Sequence, residues 1–130
     1  MSVMELSSQV TFLYFTDMKG AARFFDGVLQ LEKVYDPGWA CVWRTGPGAF
    51  VGAVDVDEGS IQVERRGGVL VSLTVRNIEA VREHILSAGL EPSPIKQVKE
   101  LDLKSFFFTG PEGYEFEIQQ FTSGDLSRLF

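Results

Sequence analysis

The residues that could do chemistry are few. Glu115, Glu117 and Gln119 alternate with Tyr114, Phe116 and Ile118. Successive strand side chains point to opposite faces, so the three polar groups share one face and the apolar groups the other. Burial would raise the pKa of a carboxylate on such a face, and Glu117 could then act as a general base. No Ser–His, Cys–His or paired acid/base constellation appears around it. Glu117 is therefore the one catalytic candidate, and a solvated or ligand-binding carboxylate is the favoured expectation. The single histidine, His84, falls in a helical pattern, where a partly exposed helix residue is expected rather than a ligand. The single cysteine, Cys41, has no basic neighbour in sequence and reads as a buried thiol. Trp39, Cys41 and Trp43 put large residues on one face of a strand, which fills a core by default or walls an aromatic pocket. The turns Thr45-Gly46-Pro47-Gly48 and Thr109-Gly110-Pro111-Glu112-Gly113 lack the spacing and lysine of a phosphate loop.

The elements that position these groups occur twice. Residues 9–15 (QVTFLYF) have strand composition, and Asp17 then caps a helical pattern carried by Met18, Ala21, Ala22, Phe25, Val28 and Leu29. Residues 69–75 (VLVSLTV) form a second such strand, and Asn77 caps a stripe of Ile78, Val81, Ile85, Leu86 and Ala88 that Gly89 stops. Asn77 lies 60 residues after Asp17. Three further strands follow each unit, at about 32–36, 39–45 and 49–56 in the first half and about 91–98, 103–109 and 114–121 in the second. The segment 57–68 is a polar, glycine-containing linker. The spacing predicts βαβββ twice in one domain of 130 residues, module one at about 9–56 and module two at about 69–121. Residues 125–130 are expected to add one helical turn.

Composition removes several function classes. With 12 Lys+Arg against 18 Asp+Glu the net charge is −6, and the longest basic run is Arg65-Arg66, so no nucleic-acid partner is expected. No apolar stretch approaches the ~18 residues of a membrane span, so no membrane partner is expected. Residues 1–5 lack the basic and apolar regions of a signal peptide, and the cytoplasm is the expected location. One cysteine excludes an internal disulfide and a thiolate zinc cluster.

The pattern resembles the vicinal oxygen chelate superfamily, which includes glyoxalase, bleomycin-resistance protein and extradiol dioxygenase. FTDMKGAARFFDGVLQLE resembles the superfamily's strand end, Asp and helix with an aromatic pair, although Gln30 stands where a glycine is usual. VSLTVRNIEAVREHILSAGLE resembles its second helix, and FFFTGPEGYEFEIQQF its closing hairpin, over about residues 9–121 together. The resemblance implies an α+β fold in which two βαβββ modules form a cupped mixed sheet with helices on the convex side. Strand alternation then sends Val69, Val71, Leu73 and Val75 to the helices, and Leu70, Ser72, Thr74 and Arg76 to the cup, with Glu115, Glu117 and Gln119. Registering the first strand on the same motif sends Val10, Phe12 and Tyr14 to the cup.

Metal-dependent members carry His, Gln or Glu at four strand positions. Those positions fall here on Val10, Leu70, Glu117 and one of Val51, Gly52 and Ala53. One oxygen donor is too few for a divalent ion that needs about three protein ligands, so neither metal nor cofactor is expected. Gln9 could substitute for Val10 only through a β-bulge. The resulting expectation is a metal-free small-molecule-binding protein like the bleomycin-resistance proteins, with a cationic or aromatic ligand. A metal-dependent lyase, isomerase or dioxygenase is the alternative, and a ligand-independent interaction module a third possibility. The expected ligand residues are Phe12, Tyr14, Trp39, Trp43, Leu70, Ser72, Thr74, Phe106, Phe108, Glu115, Glu117 and Gln119. The resemblance also implies a homodimer.

Overall fold

A computed structural model describes residues 3–130. Strand β1 spans Gln9–Phe15, followed by helix α1 (Met18–Arg23) and a π-helical turn, Phe24–Val28. Strands β2 (Glu32–Tyr35), β3 (Ala40–Gly46) and β4 (Ala49–Asp55) complete module one. Module two repeats the order with β5 (Leu70–Thr74), α2 (Ile78–Ser87), β6 (Lys96–Val98), β7 (Leu103–Thr109) and β8 (Glu115–Phe121). A short helix α3, Gly124–Leu129, ends it. The fold is α+β, built of two similar modules, each with one mixed four-stranded sheet. The sheet orders are β1-β4-β3-β2 and β5-β8-β7-β6. β1 runs parallel to β4 and β5 parallel to β8, while the remaining pairs are antiparallel. The chain divides into two compact units between Arg65 and Arg66. No helix among the described residues is long and apolar enough to cross a membrane.

Local chemistry explains the repeat. The Asp17 carboxylate accepts from the Gly20 N–H at 2.9 Å, and the Asn77 side-chain oxygen accepts from the Ala80 N–H at 3.2 Å. Each cap satisfies a backbone donor that the first helical turn leaves open. The first helix is not continuous as expected. Past Arg23 it widens into the π-helical turn, where the Leu29 N–H reaches the Phe24 carbonyl at 2.9 Å. The wider turn buries both Phe24 and Phe25. The chain then leaves through Gln30 at φ 55°, a left-handed conformation in which glycine has no Cβ penalty. The expected strand at 91–98 shrinks to Lys96–Val98 because Pro92 and Pro94 carry no N–H for a ladder. Ser93 still joins β7, donating its N–H to the Phe107 carbonyl at 2.8 Å and accepting the Phe107 N–H on its hydroxyl at 2.8 Å.

Each module has its own core on the helix side of its sheet. In module one Leu13, Phe15, Val51, Ala53, Cys41 and Trp43 are buried with Ala21, Phe24 and Phe25. Phe25 stacks on Trp43 with ring centroids 4.6 Å apart. In module two Ile78 and Ile85 of α2 are buried, as are Phe106, Phe108, Phe116 and Ile118. Burying each large side chain contributes about 1.5–3 kcal/mol. Leu86, expected in the α2 stripe, is exposed instead.

Candidate functional site

Strand pairing settles which side chains face away from the helices. In module one Val10, Phe12 and Tyr14 stand opposite Phe50, Gly52 and Val54 of β4. Val54 and Gly52 stand opposite Ala40 and Val42 of β3. This open face carries a cavity of about 160 Å³ lined by Phe12, Tyr14, Tyr35, Pro37, Trp39, Ala40, Val42, Val54 and Ser60. Its wall is four aromatic rings with little polar surface. The Tyr14 hydroxyl is held by the Ile61 N–H at 3.3 Å. Gly59 sits against the Tyr14 ring so closely that no Cβ would fit, which lets the linker pack over that ring.

The two tryptophans part company. Trp43 is 0% exposed in the core, while Trp39 is 48% exposed and lines the cavity. Strict alternation would put both on one face, but β3 begins only at Ala40. Before it, the Asp36 carboxylate accepts from the Gly38 N–H at 3.0 Å, and Gly38 takes φ 103°. This turn brings Trp39 onto the open face. The expectation for Trp43 as a ligand residue is therefore corrected: it is a core residue. Its indole N–H donates to the Asp26 carboxylate at 2.7 Å. Lys33 bridges Asp26 at 3.3 Å and Asp36 at 3.6 Å. The hydrogen bond that Lys33 donates to the Asp26 carboxylate raises the Lys33 pKa, and burial raises that of Cys41.

In module two the open face carries Leu70, Ser72 and Thr74 opposite Glu115, Glu117 and Gln119. Glu115 accepts from the Thr109 hydroxyl at 2.9 Å, and the Gln119 amide donates to Thr74 at 3.0 Å. Phe107 stands opposite Glu117 on this face and is 42% exposed. Phe106 and Phe108 are not there. They are buried on the α2 side, and Phe108 stacks on Phe116 at 5.4 Å. Lys104, two residues before Phe106, shows the same parity by bonding Glu79 of α2 at 3.0 Å. Phe106 and Phe108 are thus corrected to core residues. Phe107 and Tyr35 were missed. For Phe107 the signal was available: it alternates with Ser105 and Thr109, the polar parity of β7. For Tyr35 there was none, because an irregularity between Lys33 and Tyr35 breaks the period.

The metal-ligand positions can now be compared with the donors present. Ser72 stands opposite Glu117, and Phe12, 60 residues before Ser72, stands opposite Gly52. The repeat therefore equates Glu117 with Gly52, which resolves the choice among Val51, Gly52 and Ala53. A Cβ on Gly52 would meet Phe12 Cδ1 at 2.5 Å, so the Phe12 ring occupies the space of the missing side chain. Register runs unbroken from Gln9 to Phe15, so no bulge turns Gln9 onto the open face. Its amide instead donates to Thr11 at 2.6 Å. His84 lies in α2, and no group of three or more His, Cys, Asp or Glu side chains among the described residues is placed to hold a metal ion. Val10, Gly52 and Leu70 offer no side-chain donor, and this set does not fit a chelated divalent ion.

No protein-family model matches the chain, and no curated protein matches it by sequence. Solved structures do. A glyoxalase/bleomycin resistance protein/dioxygenase from Nocardioides superposes with TM-score 0.73 at 17% identity, covering 95% of this chain and 88% of that one. A lactoylglutathione lyase from Agrobacterium tumefaciens gives 0.69 at 18% identity, covering 91% and 93%. The fosfomycin resistance protein FosX from Listeria monocytogenes gives 0.70 at 14% identity, covering 92% and 95%. At such identities the likeness establishes the fold and leaves the chemistry to the residues.

Proposed function

We propose that this chain, which has the fold of the vicinal oxygen chelate proteins, is a small-molecule-binding protein that works without a metal. The observation that carries the reading is the aromatic cavity of module one. Phe12, Tyr14, Tyr35 and Trp39 surround a space of about 160 Å³, and Phe12 itself covers the glycine at the ligand position. A space of that size admits one aromatic ring. Ring faces are electron-rich, so a flat ligand with cationic character gains from them beyond apolar burial. On module two Leu70, Ser72, Thr74, Glu115, Glu117 and Gln119 form the other proposed ligand surface. Glu117 is its group for meeting a cation, since its carboxylate makes no hydrogen bond or ion pair among the described residues. Sequestration of a drug or metabolite in the cytoplasm is the role proposed, with a homodimer as the working assembly. A metal-dependent lyase, isomerase or dioxygenase is not favoured, because three of the four ligand positions lack donors.

Titration with 1-methylpyridinium, a single-ring cation, read by tryptophan fluorescence, tests this. Trp39 is half-exposed and Trp43 fully buried, so the response should saturate, vanish in Trp39→Phe and ignore chelators. Absence of a saturable response, or its loss on adding EDTA, overturns the reading. The module-two surface is tested by itself: the same cation should shift the Gln119 side-chain amide resonance, and an unchanged shift in Glu117→Gln would remove Glu117 from that surface; light scattering reads the assembly directly.

A further inference from the structure

A second cavity, of about 410 Å³, lies in module two where β5 and β8 end against α3. Thr74, Arg76, Gln120, Phe121, Ser127 and Phe130 line it. Arg76 is four residues past Ser72, roughly 13 Å along the strand direction from the Ser72–Glu117 pair. It belongs to a different place from the aromatic cavity of module one.

Two of the polar residues on this wall, Arg76 and Thr74, keep donors that are not spent. Arg76 enters no ion pair or side-chain hydrogen bond among the described residues. Thr74 Oγ1 accepts from Gln119, which leaves its own O–H free to donate. Gln120 faces the helix side of β8, where its side-chain oxygen accepts the Ile78 N–H at 2.9 Å and ties the start of α2 to this strand end. The Ser127 hydroxyl is already committed to the Ser123 carbonyl at 2.8 Å. No carboxylate side chain lines the cavity, although the chain as a whole carries a net charge of −6. Beside these donors Phe121 and Phe130 stack, with centroids 4.8 Å apart and planes 18° from parallel. Phe130 is 70% exposed, so one side of the stack is open to a further ring.

We infer that this cavity binds a small organic anion with an aromatic body, its carboxylate on Arg76 and its ring against Phe130. A planar carboxylate matches the guanidinium fork with two parallel hydrogen bonds. The Thr74 hydroxyl supplies a further donor to the remaining lone pairs. The site is independent of the aromatic cavity of module one and of the function proposed for it.

The test is isothermal titration of the full chain with 2-naphthoate, and with neutral 2-naphthalenemethanol as comparison. Naphthoate should bind saturably, and the alcohol at least about tenfold more weakly, as expected when a charge-assisted pair is lost. Arg76→Gln should weaken naphthoate by about tenfold or more, with Arg76→Lys falling between. Arg76 is exposed at the strand end, so these variants are expected to fold, and amide NMR spectra verify it. In wild type, naphthoate should shift the Arg76 side-chain and the Phe130 ring resonances. Trp39→Phe should leave naphthoate affinity unchanged, which separates this site from the other cavity. No saturable binding, equal affinity for acid and alcohol, or an Arg76→Gln affinity equal to wild type would overturn the inference.

Discussion

Gly52→Ala should destabilise the protein, against the ordinary preference of strands for alanine. In an unconstrained strand the change gains about 0.5–1 kcal/mol, because glycine loses more backbone freedom on folding. Here the new methyl would lie 2.5 Å from Phe12 Cδ1 and 3.1 Å from the Cys41 carbonyl oxygen. Forcing a methyl into a filled site costs about 1–3 kcal/mol. The net loss is about 0.5–2 kcal/mol, or about 2–8 °C in Tm for a chain of this size. Phe12→Ala removes the ring and leaves only the Cys41 contact, so in that background Gly52→Ala should be close to neutral. The coupling between the two substitutions should be about 0.5–2 kcal/mol. Thermal and urea denaturation of the four proteins measure it. Equal effects of Gly52→Ala in both backgrounds, or a gain in wild type, would refute the claim that Phe12 occupies this space.

Gln30→Gly should raise stability by about 0.5–1 kcal/mol by removing a Cβ from a residue at φ 55°, and Gln30→Val should lower it, both read as Tm. Asp26→Ala leaves the buried Trp43 indole N–H without its acceptor and should cost about 1–3 kcal/mol, whereas Asp26→Asn keeps an oxygen there and should lose less; urea midpoints separate the two. The raised Cys41 pKa means that the native thiol keeps its proton where the unfolded thiol, at its ordinary value of 9.0, loses it. Stability should therefore be full below that pH and fall as pH rises through the native value. Lys33, raised from 10.5, loses its contribution in the same direction at higher pH. Urea midpoints from pH 8 to 11 should show the decline, and Cys41→Ala should flatten its first part. The same burial should make Cys41 react with thiol reagents only on unfolding, a rate followed by absorbance.

Local chemistry made much of the fold legible from the chain alone. Asp17 and Asn77 cap as their types require, and the 60-residue spacing between them relates the first strand and helix of one module to those of the other. The parity of β5 and β8 was readable because polar and apolar residues alternate there. The absence of donors at Val10 and Leu70 is a matter of residue type and needs no coordinates. Prolines, by contrast, shortened β6, and the first helix widened at Phe24 to bury two adjacent rings, neither of which periodicity expresses.

What tertiary structure decided was the side on which each aromatic ring falls. Phe106, Phe107 and Phe108 are identical in type, so only the flanking Ser105 and Thr109 hint at which one leaves the core; pairing with Glu117 selects Phe107. Trp39 and Trp43 share a parity that the turn at Gly38 cancels for one of them. Gly52 gained its meaning only from standing opposite Phe12, and Arg76 only from the cavity that β8 and α3 build around it. A sequence records the period of its own side chains, but register and turn geometry are set between segments distant along the chain, where packing chooses.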